Sequence, residues 1–401
     1  MSVTESYLAA LLVILTLPWA IWRGFGRPVW APLVVEQIVM GILLGPGLLG
    51  RVWPEVYAGL FSAPVLAALS GVAWWGVILF VWLAGLELDL GAVWAHRRET
   101  GVVAGLALVL PLALGTAAGA LLLLTPGWIG PKAQVWQAAL GIGMACAVTA
   151  LPILVLFLEE LGLLGQPLGQ RVLRYASLDD VVIWAVLAAI LLDGERLGRQ
   201  LGFALVFALA AWGMRRLLPR LEQADRLPLA LVWLVASALV ADWSGLHYMV
   251  GAFLAGAVLE PGWLDRARLA QLRQAVLMVM MPVFFLSTGL RTGWEMGGAG
   301  VLAAAALLLA AAVGGKLLGV ALAGRWLGWP KGEAWKIGWL LQTKALIMII
   351  FVTILLDRGV LSGAAFTALL LMALGSTMLT MPIVSRLPAA ADTPQFDPPA
   401  A

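Results

Sequence analysis

Apolar runs of about twenty residues, separated by short clusters of Gly, Pro, Arg and Trp, follow one another along almost the whole chain. A run of that length is what an α-helix needs to cross the ~30 Å hydrocarbon core of a bilayer. Within that core every backbone N–H and C=O must be satisfied internally, which leaves helices or a closed barrel. The runs do not alternate apolar and polar residues as barrel strands do, so the chain is expected to be an all-α polytopic membrane protein. Composition argues against a soluble domain. Of the 401 residues, 62% are hydrophobic and 12% charged, against roughly 45–50% and 25% in soluble domains.

Breaking the runs at Gly, Pro and charge predicts about thirteen transmembrane helices. They fall near 7–22, 29–50, 64–90, 100–124, 134–157, 172–192, 200–214, 228–242, 247–260, 274–290, 298–323, 334–356 and 360–385. Residues 1–386 then form a single membrane domain, and the Pro- and Ala-rich tail, 387–401, is expected to be disordered. Residues 1–6 lack a basic stretch, so the first run is expected to be a retained span rather than a cleaved signal. With the N-terminus outside, the inner loops hold 17 Lys and Arg and the outer loops 6, while Lys316 and Lys344 fall inside spans and complete the 25. That asymmetry puts the C-terminus in the cytoplasm. The net charge of +3 thus reflects topology and not nucleic-acid binding. Cys146 is the single cysteine, which excludes a disulfide framework.

Weak internal similarity suggests duplication. "MGILLGPGLLG" (40–50) resembles "VGAFLAGAVLEPG" (250–262), and "FVWLAGLELDL" (80–90) resembles "FFLSTGLRTGW" (284–294), with Gly85 falling on Gly289. "LEELGLLG" (158–165) similarly resembles "LLDRGVLS" (355–362). Each pairing joins span n to span n + 7, and an odd offset inverts the second copy. The repeats cover about 5–192 and 228–386, with a linker helix at about 200–214. Inverted repeats of six helices are a recurring plan of secondary transporters, with the site between them at the midplane.

The polar residues inside the spans are few. In "YASLDDVVIWAVLAAILL" (175–192), Asp179 and Asp180 open an apolar run, although each intramembrane carboxylate costs about 2.5–3.5 kcal/mol on insertion scales. Neighbours on a helix point about 100° apart, so one can face a cavity while the other meets a partner. The alternative puts both at the water interface beside Arg171 and Arg174. Lys316 in "AAVGGKLLGVALAG" (311–324) has no acid within ten residues. The Asp179/Asp180 pair is its best counter-charge; the alternative is snorkelling. Thr149 and Pro152 in "ACAVTALPIL" (145–154) mark a break that frees carbonyls, or else a mere kink. Gln342, Thr343 and Lys344 in "WLLQTKALIM" (339–348) mark a second break, where Lys344 could sit over exposed carbonyls or in a vestibule. Glu36, Glu87 and Asp89 are expected at span ends, and Asp242 and His247 in a solvated loop. No nucleophile–base pair, phosphate loop or metal cluster is visible, so neither enzymatic activity nor a cofactor is expected.

The stretches "GILLGPGLLG", "LFVWLAGLELDL", "AVTALPILVLFLEELGLL", "ASLDDVVIWAVL", "GAFLAGAVLEPG", "MPVFFLSTGLRTGW" and "GKLLGVALAGRWLG" resemble the sodium/hydrogen exchanger family, over about residues 5–386. More closely they resemble the second branch of the monovalent cation–proton antiporters, which contains bacterial Na⁺/H⁺ and K⁺/H⁺ exchangers. The resemblance implies the Na⁺/H⁺ antiporter fold, with crossed broken helices in a six-helix bundle that moves against a dimerisation bundle, in a homodimer. It implies that Asp179 and Asp180 hold the transported Na⁺ or K⁺ or the proton, with Asp180 the primary carrier, Lys316 the partner of Asp179, and Thr149 at the break. Pro152, Gln342, Thr343 and Lys344 would form the crossing. The family often has Gly and then Glu after the Lys of the second break, whereas Ala345 follows here and Leu346 or Met348 stands in place of the acid.

The sequence reading is therefore a multi-pass inner-membrane antiporter that exchanges a monovalent cation for protons by alternating access. Its partners are the cation, the proton and the bilayer. The alternative is a sodium-coupled symporter of an organic anion, with Thr149 and Gln342 as solute contacts.

Overall fold

Ser2 and Glu5 begin the first helix as a capping box, each side chain accepting from the other's backbone N–H. In the computed structural model, which describes residues 2–26, 33–87, 94–164, 166–192, 197–291, 298–330, 332–345 and 347–386, helices follow one another to Val384. They are α1 (Val3–Gly24), α2 (Leu33–Leu44), α3 (Ala63–Leu86), α4 (Arg97–Leu122), α5 (Val135–Ala147), α6 (Leu151–Glu160), α7 (Pro167–Ile190) and α8 (Leu197–Leu217). Then come α9 (Gln223–Trp243), α10 (Tyr248–Ala257), α11 (Arg266–Ala275), α12 (Met281–Leu290), α13 (Gly298–Leu327), α14 (Glu333–Leu340), α15 (Ile347–Asp357) and α16 (Gly363–Val384). A π-helical turn, Val276–Met280, joins α11 to α12.

Nine helical segments among the described residues are long and apolar enough to cross a membrane, and three shorter apolar helices, α5, α10 and α15, accompany them. The fold is all-α and the expected spans fall on helices. Their ends differ in instructive places. The predicted span 172–192 begins at Pro167, because Gln166 at the N-cap and proline in the first turn start the helix early. Arg171 and Arg174 are therefore inside α7, and Asp179 and Asp180 lie near its middle instead of at a water interface. The expected linker helix 200–214 is longer, Leu197–Leu217. The 387–401 tail lies outside the described residues.

The helices sort into two bundles. One comprises α4, α5, α6, α7, α13, α14, α15 and α16; the other α1, α2, α3, α9, α10, α11 and α12, with α8 against α9. Close backbone approach is dense within each bundle and sparse between them. Glycine makes the second bundle tight: a Cβ at Gly85 of α3 would overlap the backbone of α10 near Gly256, and one at Gly289 of α12 would overlap Gly41 of α2. Apolar helices have no hydrophobic drive toward each other in lipid, so close packing through small residues replaces it. The third segment thus meets the ninth as the tenth meets the second, the pattern an inverted duplication produces. Burial separates roles further. In its most apolar stretch α16 is 67% buried within the protein and α8 only 17%, so α8 presents Leu201, Leu205 and Leu209 outward.

Candidate functional site

Two of the apolar segments are interrupted, and the interruptions meet. After α5, Val148 and Ala150 take extended backbone angles before α6 begins, with Pro152 in its first turn, where a missing N–H costs nothing. The side chain of Pro152 lies outside the described residues. After α14 residues 341–345 are non-helical, and the next helix begins at Ile347. The Ala150 N–H donates to the Thr343 carbonyl at 2.5 Å, a direct backbone stitch between the two breaks. The hydroxyl of Thr149 lies 2.9 Å from the Leu341 carbonyl.

A broken helix exposes backbone groups that must find partners inside the protein. α16 supplies several of them. Ser376 Oγ donates to the Gln342 carbonyl at 2.8 Å, and Thr377 Oγ1 accepts from the N–H groups of Lys344 at 3.3 Å and Ala345 at 3.0 Å. The sequence reading did not single out Ser376 or Thr377. The available signal was the polar run "GSTMLT" (375–380) in an otherwise apolar span.

Lys344 is fully buried and its ammonium donates to the carbonyls of Cys146 at 2.6 Å and Val148 at 3.0 Å. These carbonyls are at the C-terminal end of α5, where the helix dipole is negative and a cation is favoured. Of the two placements open for Lys344, the one over exposed carbonyls is observed. Ala345 and Met348 are fully buried beside it, while Leu346 lies outside the described residues.

The crossing is flanked by the carboxylates. Asp179 and Asp180 are each 1% exposed. Lys316, fully buried on α13, donates to Asp179 Oδ2 at 3.0 Å, Thr149 Oγ1 at 3.0 Å and the Ala147 carbonyl at 2.6 Å. That uses all three ammonium protons. Thr149, accepting from Lys316, has one proton of its own, to place either on Asp179 Oδ2 at 2.9 Å or on the Leu341 carbonyl. Lys316 therefore does not snorkel. The second oxygen of Asp179, one oxygen of Asp180 and both amide atoms of Gln342 are buried without a hydrogen-bond partner. Such groups are costly unless water or an ion meets them. Asp179 is a partnered charge, and Asp180 next to it presents a free oxygen. Among the described residues no group of three or more His, Cys, Asp and Glu could hold a metal ion.

Residues outside the crossing are placed as follows. Glu87 pairs with Arg273, and Asp89 lies outside the described residues. Asp242 pairs with Arg358 at 2.7 Å. His247 is not solvated: it is 3% exposed and its Nδ1 accepts from the Met249 N–H at 3.3 Å, capping α10. A cluster the sequence did not disclose joins α4, α7 and α14 at their N-terminal ends. Arg171 bonds Glu99 at 2.9 Å and Glu333 at 2.6 Å and stacks on Trp329. Its members come from segments far apart in the chain, so no local pattern announces it.

The sequence profile described as "Sodium/hydrogen exchanger, transmembrane" matches residues 10–387. The chain is 31% identical over 400 residues to the Na(+)/H(+) antiporter NhaS4 of Synechocystis, covering 95% of this chain and 96% of that one. It is 31% identical over 380 residues to the Cation/H(+) antiporter 19 of Arabidopsis thaliana, covering 90% of this chain and 47% of that protein, so it spans about half of the plant relative. Its fold is that of the sodium proton antiporter MjNhaP1 from Methanocaldococcus jannaschii, with a TM-score of 0.61 at 14% identity and 96% coverage of each chain. The chain belongs to the sodium/hydrogen exchanger family.

Proposed function

We propose that this chain exchanges a monovalent cation, Na⁺ or K⁺, for protons across a membrane by alternating access, with Asp180 as the group that carries one or the other. The observation that carries this reading is the asymmetry of the two buried carboxylates: Asp179 is neutralised by Lys316 at 3.0 Å, whereas Asp180 keeps a buried oxygen without a partner. A carboxylate ionised in a low-dielectric interior needs a counter-charge, and here the protein supplies none directly to that oxygen. A proton or a dehydrated cation meets the need equally, and each excludes the other. Loaded with either, Asp180 contributes no net charge; empty, it is negative and crosses poorly. Competition at one carboxylate then couples the two fluxes. Relatives whose names specify Na⁺/H⁺ or cation/H⁺ antiport support the same reading.

The organic-anion symporter is not retained. Its solute contact Thr149 is already engaged by Lys316, Asp179 and the Leu341 carbonyl. The rest of the proposal follows the sequence: a homodimer in the inner membrane, N-terminus outside, arginine-rich ends inside. One domain of two inverted repeats would contain the site. The test is a proteoliposome assay in which Na⁺, K⁺ or Li⁺ is added in turn to vesicles with an imposed pH gradient. The expected result is cation-driven proton efflux that saturates and is lost in Asp180→Asn. Efflux at the parental rate in that variant would refute the assignment.

A further inference from the structure

Ion pairs are distributed unevenly between the two ends of the protein. At the end where Arg171 lies, the ion pairs among the described residues stay within a bundle: Arg171 with Glu99 and Glu333, Arg273 with Glu87, Arg215 with Glu260. At the opposite end the pattern reverses. Asp357 and Arg358, adjacent at the end of α15, both reach across to the other bundle. Asp357 pairs with Arg291 at the end of α12. Arg358 pairs with Asp242 of α9 at 2.7 Å and also donates to the Leu246 carbonyl.

The same side is closed deeper in. Trp184 follows Asp180 by four residues, which places it one turn further along α7 on the same face. Its ring stacks on Phe253 of α10 at 4.5 Å and 16°, and meets Phe351 of α15 edge-on at 4.7 Å. Phe253 belongs to the other bundle, so this stack also joins the two. Trp184 and Phe253 are 4% and 3% exposed.

We propose that the two ion pairs of opposite polarity, Asp357–Arg291 and Arg358–Asp242, latch the bundles together at this end, above a Trp184–Phe253 seal. The structure is then the conformer closed at that end, and the latch must break for Asp180 to be reached from it. Two features suit a latch better than a permanent weld. The four charged side chains are between 24% and 52% exposed, so water can take them when they part. Asp357 and Arg358 are adjacent and of opposite sign, and their partners Arg291 and Asp242 come from two different helices, so an exchange of partners would oppose like charges. The inference rests on the alternating-access reading, because only a protein whose bundles separate needs a latch.

The test uses a cysteine at the seal, Phe253→Cys, with the native thiol removed by Cys146→Ala, and follows its rate of labelling by a hydrophilic thiol reagent in purified protein. Exposed pairs of this kind are each worth about a two- to fivefold shift in an equilibrium. Asp242→Asn and Arg291→Gln should each raise the labelling rate by about that factor, and together by about the product. Reversing one pair, Asp242→Arg with Arg358→Asp, should bring the rate back toward the parent. Trp184→Cys reads the same contact from the other bundle if Phe253→Cys does not fold. Rates unmoved by both neutralisations, or a charge reversal that labels as fast as the sum of its single changes, would overturn the latch. Because labelling needs no ion gradient, a latch response without any exchange would instead count against the transport reading alone.

Discussion

Lys316→Met and Asp179→Asn, made singly and together, test whether the buried pair is a unit. Both side chains are at most 1% exposed and lie 3.0 Å apart, so solvent screening does not discount the interaction. Removing one partner of such a pair typically costs about 3–5 kcal/mol, because the other charge is left buried and uncompensated. Lys316→Met also leaves the Ala147 carbonyl and Thr149 without their donor, at about 1 kcal/mol or more each. Additive losses would therefore sum to about 8–12 kcal/mol. If the pair is a unit, the double variant should lose far less than that, with a coupling of about 3 kcal/mol. For a chain of 401 residues, unfolding entropy of about 2 cal/mol/K per residue converts 1 kcal/mol to roughly 1 °C. Asp179→Asn should then melt about 4–6 °C and Lys316→Met about 6–8 °C below the parent in a detergent thermal-shift assay, and the double variant should lose clearly less than the sum of those two shifts. Strict additivity would refute the reasoning. Exchange gives a second readout: with Asp180 as the carrier, the double variant still exchanges, and its rate depends less on membrane potential because fewer charges titrate.

Lys344→Met should destabilise the protein by about 2 kcal/mol, since it strips the cation from two carbonyls of Cys146 and Val148; a melting temperature equal to the parent's would refute this. Replacing Thr377 by Val leaves the N–H groups of Lys344 and Ala345 unmet, and should cost about 1–3 kcal/mol, with little loss expected for the control Thr16→Val, whose exposed hydroxyl bonds a carbonyl of its own helix. Reporter fusions should place the N-terminus outside and the C-terminus in the cytoplasm, as the 17-to-6 basic asymmetry expects.

The pairing of Lys316 with the Asp179/Asp180 pair was legible because the argument is one of cost: a buried charge must be met, and few candidates exist in a chain with so few intramembrane charges. Which aspartate it chooses was implied only by the family resemblance and not by the residues themselves, since adjacent residues on a helix differ only in azimuth, and azimuth is set by how α7 packs against α4 and α5. Proline and threonine marked the first break, yet the length and partners of the second were hidden. Its carbonyls and N–H groups are met by Ser376 and Thr377, in a different segment whose hydroxyls could as well have bonded their own helix. Asp242 and His247 were expected in solvent because they bracket a short loop. Local sequence could not foresee that α15 ends beside that loop, bringing Arg358 to Asp242 and burying the imidazole.

The second break also shows how Lys344 is held with no acid in its own stretch, 339–348. A carboxylate would neutralise a buried lysine; here the Lys344 ammonium is instead solvated by the carbonyl end of α5, made available because Val148 leaves the helix. Ala345 and Met348 can then be apolar without stranding a charge. The same accounting isolates Asp180. Lys316 is spent on Asp179, Thr149 and Ala147, and Lys344 on Cys146 and Val148, so neither ammonium is bonded to Asp180. An acid restored at position 348 would draw Lys344 off the α5 carbonyls and reopen that balance. Met348→Glu should therefore perturb the crossing even though it offers Lys344 a counter-charge. The expected outcome is a lower melting temperature, largely recovered when Val148 and Cys146 keep their cation through Lys344→Arg, whose longer fork can serve both carboxylate and carbonyl. A Met348→Glu variant as stable as the parent would show that Lys344 is not committed to the half-helix end.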